Sequence, residues 1–210
     1  MTIIDLYPYA DILAQRGHWD DATRRVVMDR VENPPPFKNI HGERRETLIA
    51  LCERVIPQGH HAPERRVPIP QWIDQNYARK QVDGFTFEDM PSNPEAWDLG
   101  LEGLDQTSQA LFAKDFRELA GEQQDQVLER IRAGDPPGDA WMQLPAKRWW
   151  IYVALRQITG VYYSHPFAWD EIGFGGPAYP RGYAALSFGH AEPWEAREVH
   201  QYPPEDETSA

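Results

Sequence analysis

Apolar residues recur at spacings of three and four along the middle of the chain, and no stretch of useful length alternates apolar with polar residues. The clearest stripe consists of Leu48, Leu51, Cys52 and Val55. This period places side chains on one face of a helix, whereas in a strand it would scatter them over both faces. The predicted fold class is therefore all-α.

A bundle of about five helices is predicted in a core at residues 39–160. The predicted helices are Glu43–Ile56, Ile69–Gln81, Pro94–Lys114, Glu122–Ala133 and Pro145–Thr159. Gly134 is expected to end the fourth helix in the left-handed conformation. The fifth helix is apolar nearly all round, which indicates a central position or cover by a partner. Because consecutive helical residues lie ~100° apart, we expect Trp149 and Trp150 not to be core residues together.

An N-terminal arm at residues 1–38 precedes this core. The pattern predicts short helices at Ile3–Ala14 and Asp21–Val31, with a break at Arg16–His18. Three prolines and Phe37 close the segment. Chains under ~40 residues seldom fold alone, so we expect the arm to pack along the bundle or to wrap a partner.

The tail at residues 161–210 has the most unusual composition. Val161–Trp194 contains nine aromatic residues among glycines and prolines. Glycine and proline argue against regular helix, and so many aromatic residues argue against disorder, so an ordered irregular loop is predicted. The loop either folds back on its own helices or covers another protein, because interfaces are rich in aromatic residues. The predicted partner-binding residues are Trp149, Tyr162, Tyr163, His165, Trp169, Ile172, Phe174, Pro177, Tyr183 and Trp194.

Two chemical alternatives compete with a binding role. Four residues of the tail could supply metal ligands to an autonomous enzyme, although their spacing matches no known motif: His165, Asp170, Glu171 and His190. Gly173, Gly175 and Ala178 match the glycine spacing of a dinucleotide loop, but no strand precedes them and prolines follow. A free-standing helical binding module remains a further alternative. No residue is predicted to be catalytic, to bind a cofactor or to ligate a metal.

Charge limits the classes of partner. The net charge of −12 argues against nucleic acid, and residues 81–140 alone carry 14 acidic and four basic side chains. That acidic region is either a solvated helix face or a surface for a basic partner.

The sequence contains no run of 18 apolar residues, so no membrane span is predicted. Arg24-Arg25 lacks the apolar stretch of an export signal, so synthesis in the cytoplasm is predicted, and export to the periplasm with a partner stays open.

Three blocks of the sequence resemble the gluconate 2-dehydrogenase subunit 3 family. They are TLIALCERVIPQ at Thr47–Gln58, the helical pair at Leu104–Ile131, and LRQITGVYYSHPFAWDEIGFGGP at Leu155–Pro177. The last block is the most specific, because the first two are ordinary amphipathic helices. The similarity covers about residues 43–183.

The resemblance implies a non-catalytic small subunit. In this family the chemistry belongs to a large FAD subunit of the glucose–methanol–choline (GMC) oxidoreductase type, a sugar or glycoside dehydrogenase, often together with a cytochrome c that carries haem. The small subunit is similar to a dedicated chaperone that keeps the large subunit folded and soluble, and it often carries the export signal for both. This chain departs from that pattern in the absence of a recognisable signal.

Overall fold

The computed structural model describes residues 6–7, 10–78, 87–182, 192 and 194–196. The fold is all-α, as predicted, and no strand occurs in these ranges. The helices are α1 (Asp21–Glu32), α2 (Gly42–Val55), α3 (Ile69–Ala78), α4 (Asn93–Phe112), α5 (Gly121–Ala133), α6 (Ala146–Arg148), α7 (Arg156–Tyr163) and α8 (Pro166–Glu171). None of the described helices combines the length and the apolar character that a bilayer span requires.

The described residues fall into two compact units. One unit comprises Pro34–Tyr162, and the other joins the described parts of residues 1–33 to those of residues 163–210. We call them the helical unit and the arm–tail unit.

Helix α4 is central to the helical unit. It packs against α2, α3 and α5 and against a 3₁₀ turn at Asp139–Met142. Trp97 on α4 meets Trp149 edge to face, with ring centroids 6.0 Å apart. Gly100 allows this approach, since a Cβ at that position would lie 2.1 Å from the Trp149 ring. Gly134 ends α5 with φ of 91°, which confirms the predicted left-handed cap.

The helix predicted at Pro145–Thr159 has an unexpected central segment. Between α6 and α7, Trp149–Leu155 adopts the wider π-helical form. Both tryptophans are buried, with 0% exposure for Trp149 and 8% for Trp150, so the expectation that they could not both be core residues is wrong. The angular step between neighbouring residues is smaller in a π-helix than the ~100° of an α-helix, which allows adjacent indoles to face the interior.

The arm also differs from its prediction. A 3₁₀ helix at Ile12–His18 runs through the predicted break at Arg16–His18. It begins where the Asp11 carboxylate accepts a hydrogen bond from the Ala14 amide at 3.2 Å. Helix α1 agrees with the prediction within a residue and is capped by Asp20. Residues 3–5 and 8–9 of the first predicted helix lie outside the described residues.

The tail is more regular than its composition suggested. Helix α7 continues to Tyr163, and α8 follows after two residues. The α8 turn forms because the His165 side chain caps it and Pro166 occupies the first helical position, where a missing N–H costs nothing. The glycines that argue against helix begin only at Gly173, after α8 has ended.

Candidate partner-binding surface

The arm and the tail share one hydrophobic interior. Ile12, Trp19 and Val27 of the arm form a buried cluster with Trp169 of α8, and Leu13 packs against it. None of the four is more than 7% exposed. A short arm that cannot build a core alone is therefore stabilised by an apolar residue about 150 positions away in the sequence.

Polar contacts tie the same two segments together. The Asp170 carboxylate accepts a hydrogen bond from the Ile12 amide at 2.7 Å. The Arg30 guanidinium donates to the Ser164 carbonyl. His165 donates from Nε2 to the Arg30 carbonyl at 3.1 Å and accepts from the Phe167 amide at Nδ1. Both nitrogens of this buried imidazole are thus engaged, and its role within the unit is structural.

Three of the predicted partner-binding residues are largely exposed. The exposed fractions are 50% for Tyr163, 47% for Ile172 and 42% for Phe174. We call these three residues the apolar surface. All three lie within twelve residues of the chain, and exposed apolar patches are typical of interaction sites.

Buried neighbours support the apolar surface. The Phe174 ring stands edge to face on Trp169, with ring centroids 5.3 Å apart. The Trp169 indole N–H donates to the Tyr163 carbonyl at 2.9 Å, and the Phe174 amide donates to the Trp169 carbonyl at 3.0 Å. One tryptophan therefore fixes the chain on both sides of α8, which holds Tyr163 and Phe174 in defined positions.

Five other predicted partner-binding residues are buried or half-buried. Tyr162, His165 and Trp169 are buried, at 3%, 2% and 7% exposure. Pro177 and Trp194 are half-buried, and the Arg181 guanidinium lies 4.3 Å from the Trp194 ring centre.

Two predicted residues are not placed on this surface. Trp149 lies in the interior of the helical unit, against Trp97 and Trp141, and offers no surface to a partner. Tyr183 lies outside the described residues.

The metal alternative finds little support among its described members. A ligating histidine needs a free ring nitrogen, and His165 uses both of its nitrogens in hydrogen bonds within the unit. Asp170 holds the Ile12 amide. Glu171 is exposed, and His190 lies outside the described residues.

The glycine pattern at Gly173–Ala178 does not fit a dinucleotide. A Cβ at Gly173 would lie 2.4 Å from the Tyr7 ring, and one at Gly176 would lie 2.5 Å from Ile12. Side chains of the arm therefore occupy the space beside these glycines. In a dinucleotide-binding loop that space would hold the pyrophosphate. No helix begins between Gly173 and Gly182, so the amides of a helix N-terminus are missing there too.

Sequence reasoning missed other exposed apolar residues of the arm–tail unit. Tyr179 is 65% exposed, Val26 58% and Leu6 37%. The run of apolar residues at Val26-Val27-Met28 could have pointed to Val26, because α1 buries only Val27. Nothing in the sequence separates exposed Tyr179 from the neighbouring buried aromatic residues.

The comparison with family models settles the family. The model of gluconate 2-dehydrogenase subunit 3 matches residues 42–176. The chain belongs to the gluconate 2-dehydrogenase subunit 3 family. The family is named for a subunit of an oxidoreductase complex, which confirms the resemblance found in the sequence. The match runs from α2 through the apolar surface and leaves out the arm. No curated protein and no solved structure matches the chain.

Proposed function

We propose that this chain is the non-catalytic small subunit of an FAD-dependent sugar or glycoside dehydrogenase. The large subunit, of the GMC type, holds the flavin and the catalytic residues, and in some complexes a cytochrome c accepts the electrons. The small subunit acts as a chaperone that keeps the large subunit folded and soluble. The apolar surface of Tyr163, Ile172 and Phe174 makes part of the contact.

The observation that carries this proposal is the exposed apolar surface on a rigid support. Tyr163 and Phe174 are at least 42% exposed, although each is joined to the buried Trp169. Burial of such rings dominates the energetics of interfaces. A surface that is already ordered also loses less conformational entropy on binding. Both features favour a permanent protein partner.

The hydrogen bonds of His165 support the non-catalytic part of the proposal. A general base needs to reach the substrate proton, within about 3 Å. His165 is 2% exposed and already donates to the Arg30 carbonyl. Asp170 is likewise occupied by the Ile12 amide. The polar residues of this region are thus used to join the arm to the tail.

Co-expression with the flavoprotein tests the contact. We expect Phe174→Ala and Tyr163→Ala each to weaken association by about 2–4 kcal/mol, the range found for buried aromatic anchors. Tyr152→Ala is the matched control, because Tyr152 is also a tyrosine, is 45% exposed and lies in the helical unit. The yield of soluble flavin-containing complex and the dissociation constant are the two measurements. Equal association of the Tyr163→Ala and Tyr152→Ala variants would contradict the proposed contact.

Turnover per bound flavin tests the non-catalytic role. His165→Gln should change the yield or stability of the complex and leave turnover per flavin within a few-fold of the wild type. The same result is expected for His190→Gln. A loss of about 10²-fold or more in an assembled complex would match removal of a general base and would contradict the proposal.

A further inference from the structure

The arm reaches the apolar surface at Gly173. This glycine follows the end of α8 and lies between Ile172 and Phe174, two of the three residues of the apolar surface. The Tyr7 ring of the arm packs onto it so closely that a Cβ at Gly173 would lie 2.4 Å from the ring. An arm residue therefore covers the backbone between two exposed apolar side chains of the tail.

A second arm residue approaches the tail in the same way. Ile12 lies against Gly176, where a Cβ would be 2.5 Å from the Ile12 side chain. Tyr7 and Ile12 thus meet the tail at two glycines, one before and one after Phe174 in the chain. The arm therefore has a defined position beside Phe174 before any partner binds.

Leu6 places a further apolar side chain at this position. It immediately precedes Tyr7 and is 37% exposed. Because the Cα atoms of adjacent residues are about 3.8 Å apart, Leu6 lies close to the Tyr7–Gly173 contact. The Tyr7 carbonyl accepts a hydrogen bond from the Ala10 amide at 2.9 Å, and this turn fixes the chain that follows. The exposed apolar area thus continues from the tail onto the arm.

We propose that Leu6 extends the apolar surface and contacts the same large flavoprotein subunit. This inference rests on the proposed function, because continuity with Ile172 and Phe174 identifies the partner. The leucine side chain has no charge and no hydrogen-bonding group, so the part of the large subunit that faces it has to be apolar. The match to the family model covers residues 42–176. The arm therefore adds a contact to those within the matched region.

Affinity for the flavoprotein tests the contribution of Leu6. Leu6→Ala should weaken association about threefold, because only the exposed part of this side chain remains to be buried. Leu6→Asp should weaken it at least about tenfold, since the partner would have to bury an unpaired charge. Leu111→Asp is the matched control, because Leu111 is also a leucine, is 40% exposed and lies on α4 of the helical unit. This control should bind as the wild type does.

Thiol modification tests the contact without a binding measurement. The one natural cysteine of the chain, Cys52, is 2% exposed, so an introduced thiol can be followed by the mass of the small subunit. In the free chain, Leu6→Cys and Leu111→Cys should react with a maleimide at similar rates, because the two positions are similarly exposed. In the assembled complex, Leu6→Cys should react at least about tenfold more slowly than Leu111→Cys, since the partner blocks access.

The outcomes separate this inference from the proposed function. If Tyr163→Ala weakens association but Leu6→Asp binds like the wild type, the inference is wrong and the proposed function stands. Equal maleimide rates of the two cysteine variants in the complex would have the same meaning. Protection of Leu6→Cys in the free chain that rises with chain concentration would show a second copy at Leu6 and would overturn the inference. If neither Tyr163→Ala nor Leu6→Asp weakens association, the proposed contact and this extension of it are both wrong.

Discussion

Asp74 offers the sharpest test of how the helical unit is held together. Its side chain is fully buried in α3. Oδ1 accepts from the Ile40 amide at 2.6 Å and the Asn39 amide at 3.0 Å, and Oδ2 accepts from the Lys38 amide at 2.8 Å. The Asn39 side chain donates to Oδ2 as well, at 3.0 Å. One carboxylate thus satisfies three successive backbone N–H groups that lead into α2.

The loss of stability caused by Asp74→Ala depends on whether each backbone N–H that loses the carboxylate finds another acceptor. A hydrogen bond to a charged group contributes about 1.5–3 kcal/mol. Lys38 is exposed, so water can replace its bond. The Ile40 residue is 4% exposed, so its N–H would stay buried without a partner. The full Ile40 bond and part of the Asn39 bonds together give a loss of about 3–4 kcal/mol in the free energy of unfolding.

Urea denaturation of both variants and a control measures this loss. Asp74→Asn keeps the shape but turns an N–H₂ toward backbone donors, and we expect a loss of about 2 kcal/mol. Asp135→Ala is the control, because the Asp135 carboxylate is 61% exposed and pairs with Arg130. Its loss should stay below about 1 kcal/mol. An Asp74→Ala protein within about 0.5 kcal/mol of the wild type would refute the reasoning, since that is the scatter of neutral surface changes.

The same carboxylate predicts a pH dependence. Burial raises the pKa of Asp74, but the bonds from Ile40, Lys38 and Asn39 outweigh it, and the pKa falls below its ordinary value of 3.8. A lowered pKa means that the stabilisation is complete above pH 3.8 and is lost as the pH falls through the pKa of the folded state. The difference in free energy of unfolding between the wild type and Asp74→Asn should therefore become smaller below pH 3.8. A gap that stays constant there would contradict the assignment.

Three further predictions concern the packing of each unit. Gly100→Ala should lower the melting temperature because its Cβ would lie 2.1 Å from the Trp149 ring, whereas Gly160→Ala, with open space around it, should raise it. His165→Leu should lower the free energy of unfolding by about 1–3 kcal/mol through two lost hydrogen bonds, and His165→Gln, which can still donate and accept, by less. Deletion of residues 1–33 removes the side chains that cover Trp169, so the tail should become sensitive to protease and the complex should weaken. The far-UV circular dichroism of the helical unit should persist.

Local signals explain which elements could be predicted from the sequence. The stripe at Leu48–Val55 identifies α2, because a helix with one buried face has apolar residues at every third or fourth position of its sequence. Gly134 was predicted as a cap for a local reason too, since only glycine adopts its positive φ without strain. Trp149–Leu155 lacked such a signal, because an expectation based on the α-helical period cannot reveal a π-helical segment.

Contacts between distant segments explain what the sequence could not indicate. The bond from the Ile12 amide to Asp170 joins residues 158 positions apart, and no periodicity encodes it. The sequence also does not indicate which side chains are exposed. Tyr162 and Tyr163 are adjacent and identical, yet one is 3% exposed and the other 50%. Composition marked the tail as rich in aromatic residues, but only the fold separates its buried supporting residues from its exposed ones.

That separation decides how binding data on the tail should be interpreted. Trp169 is 7% exposed, so a partner can gain little by touching it directly. Its substitution would nevertheless release the Tyr163 carbonyl and remove the ring on which Phe174 stands. Trp169→Ala should therefore weaken the complex and also lower the stability of the arm–tail unit within the full chain, because it removes a large buried side chain. Phe174→Ala should weaken the complex with a much smaller loss of stability, since that ring is 42% exposed. If both variants lost binding and stability in the same proportion, the loss of binding would follow from unfolding alone, and the apolar surface would not be a contact.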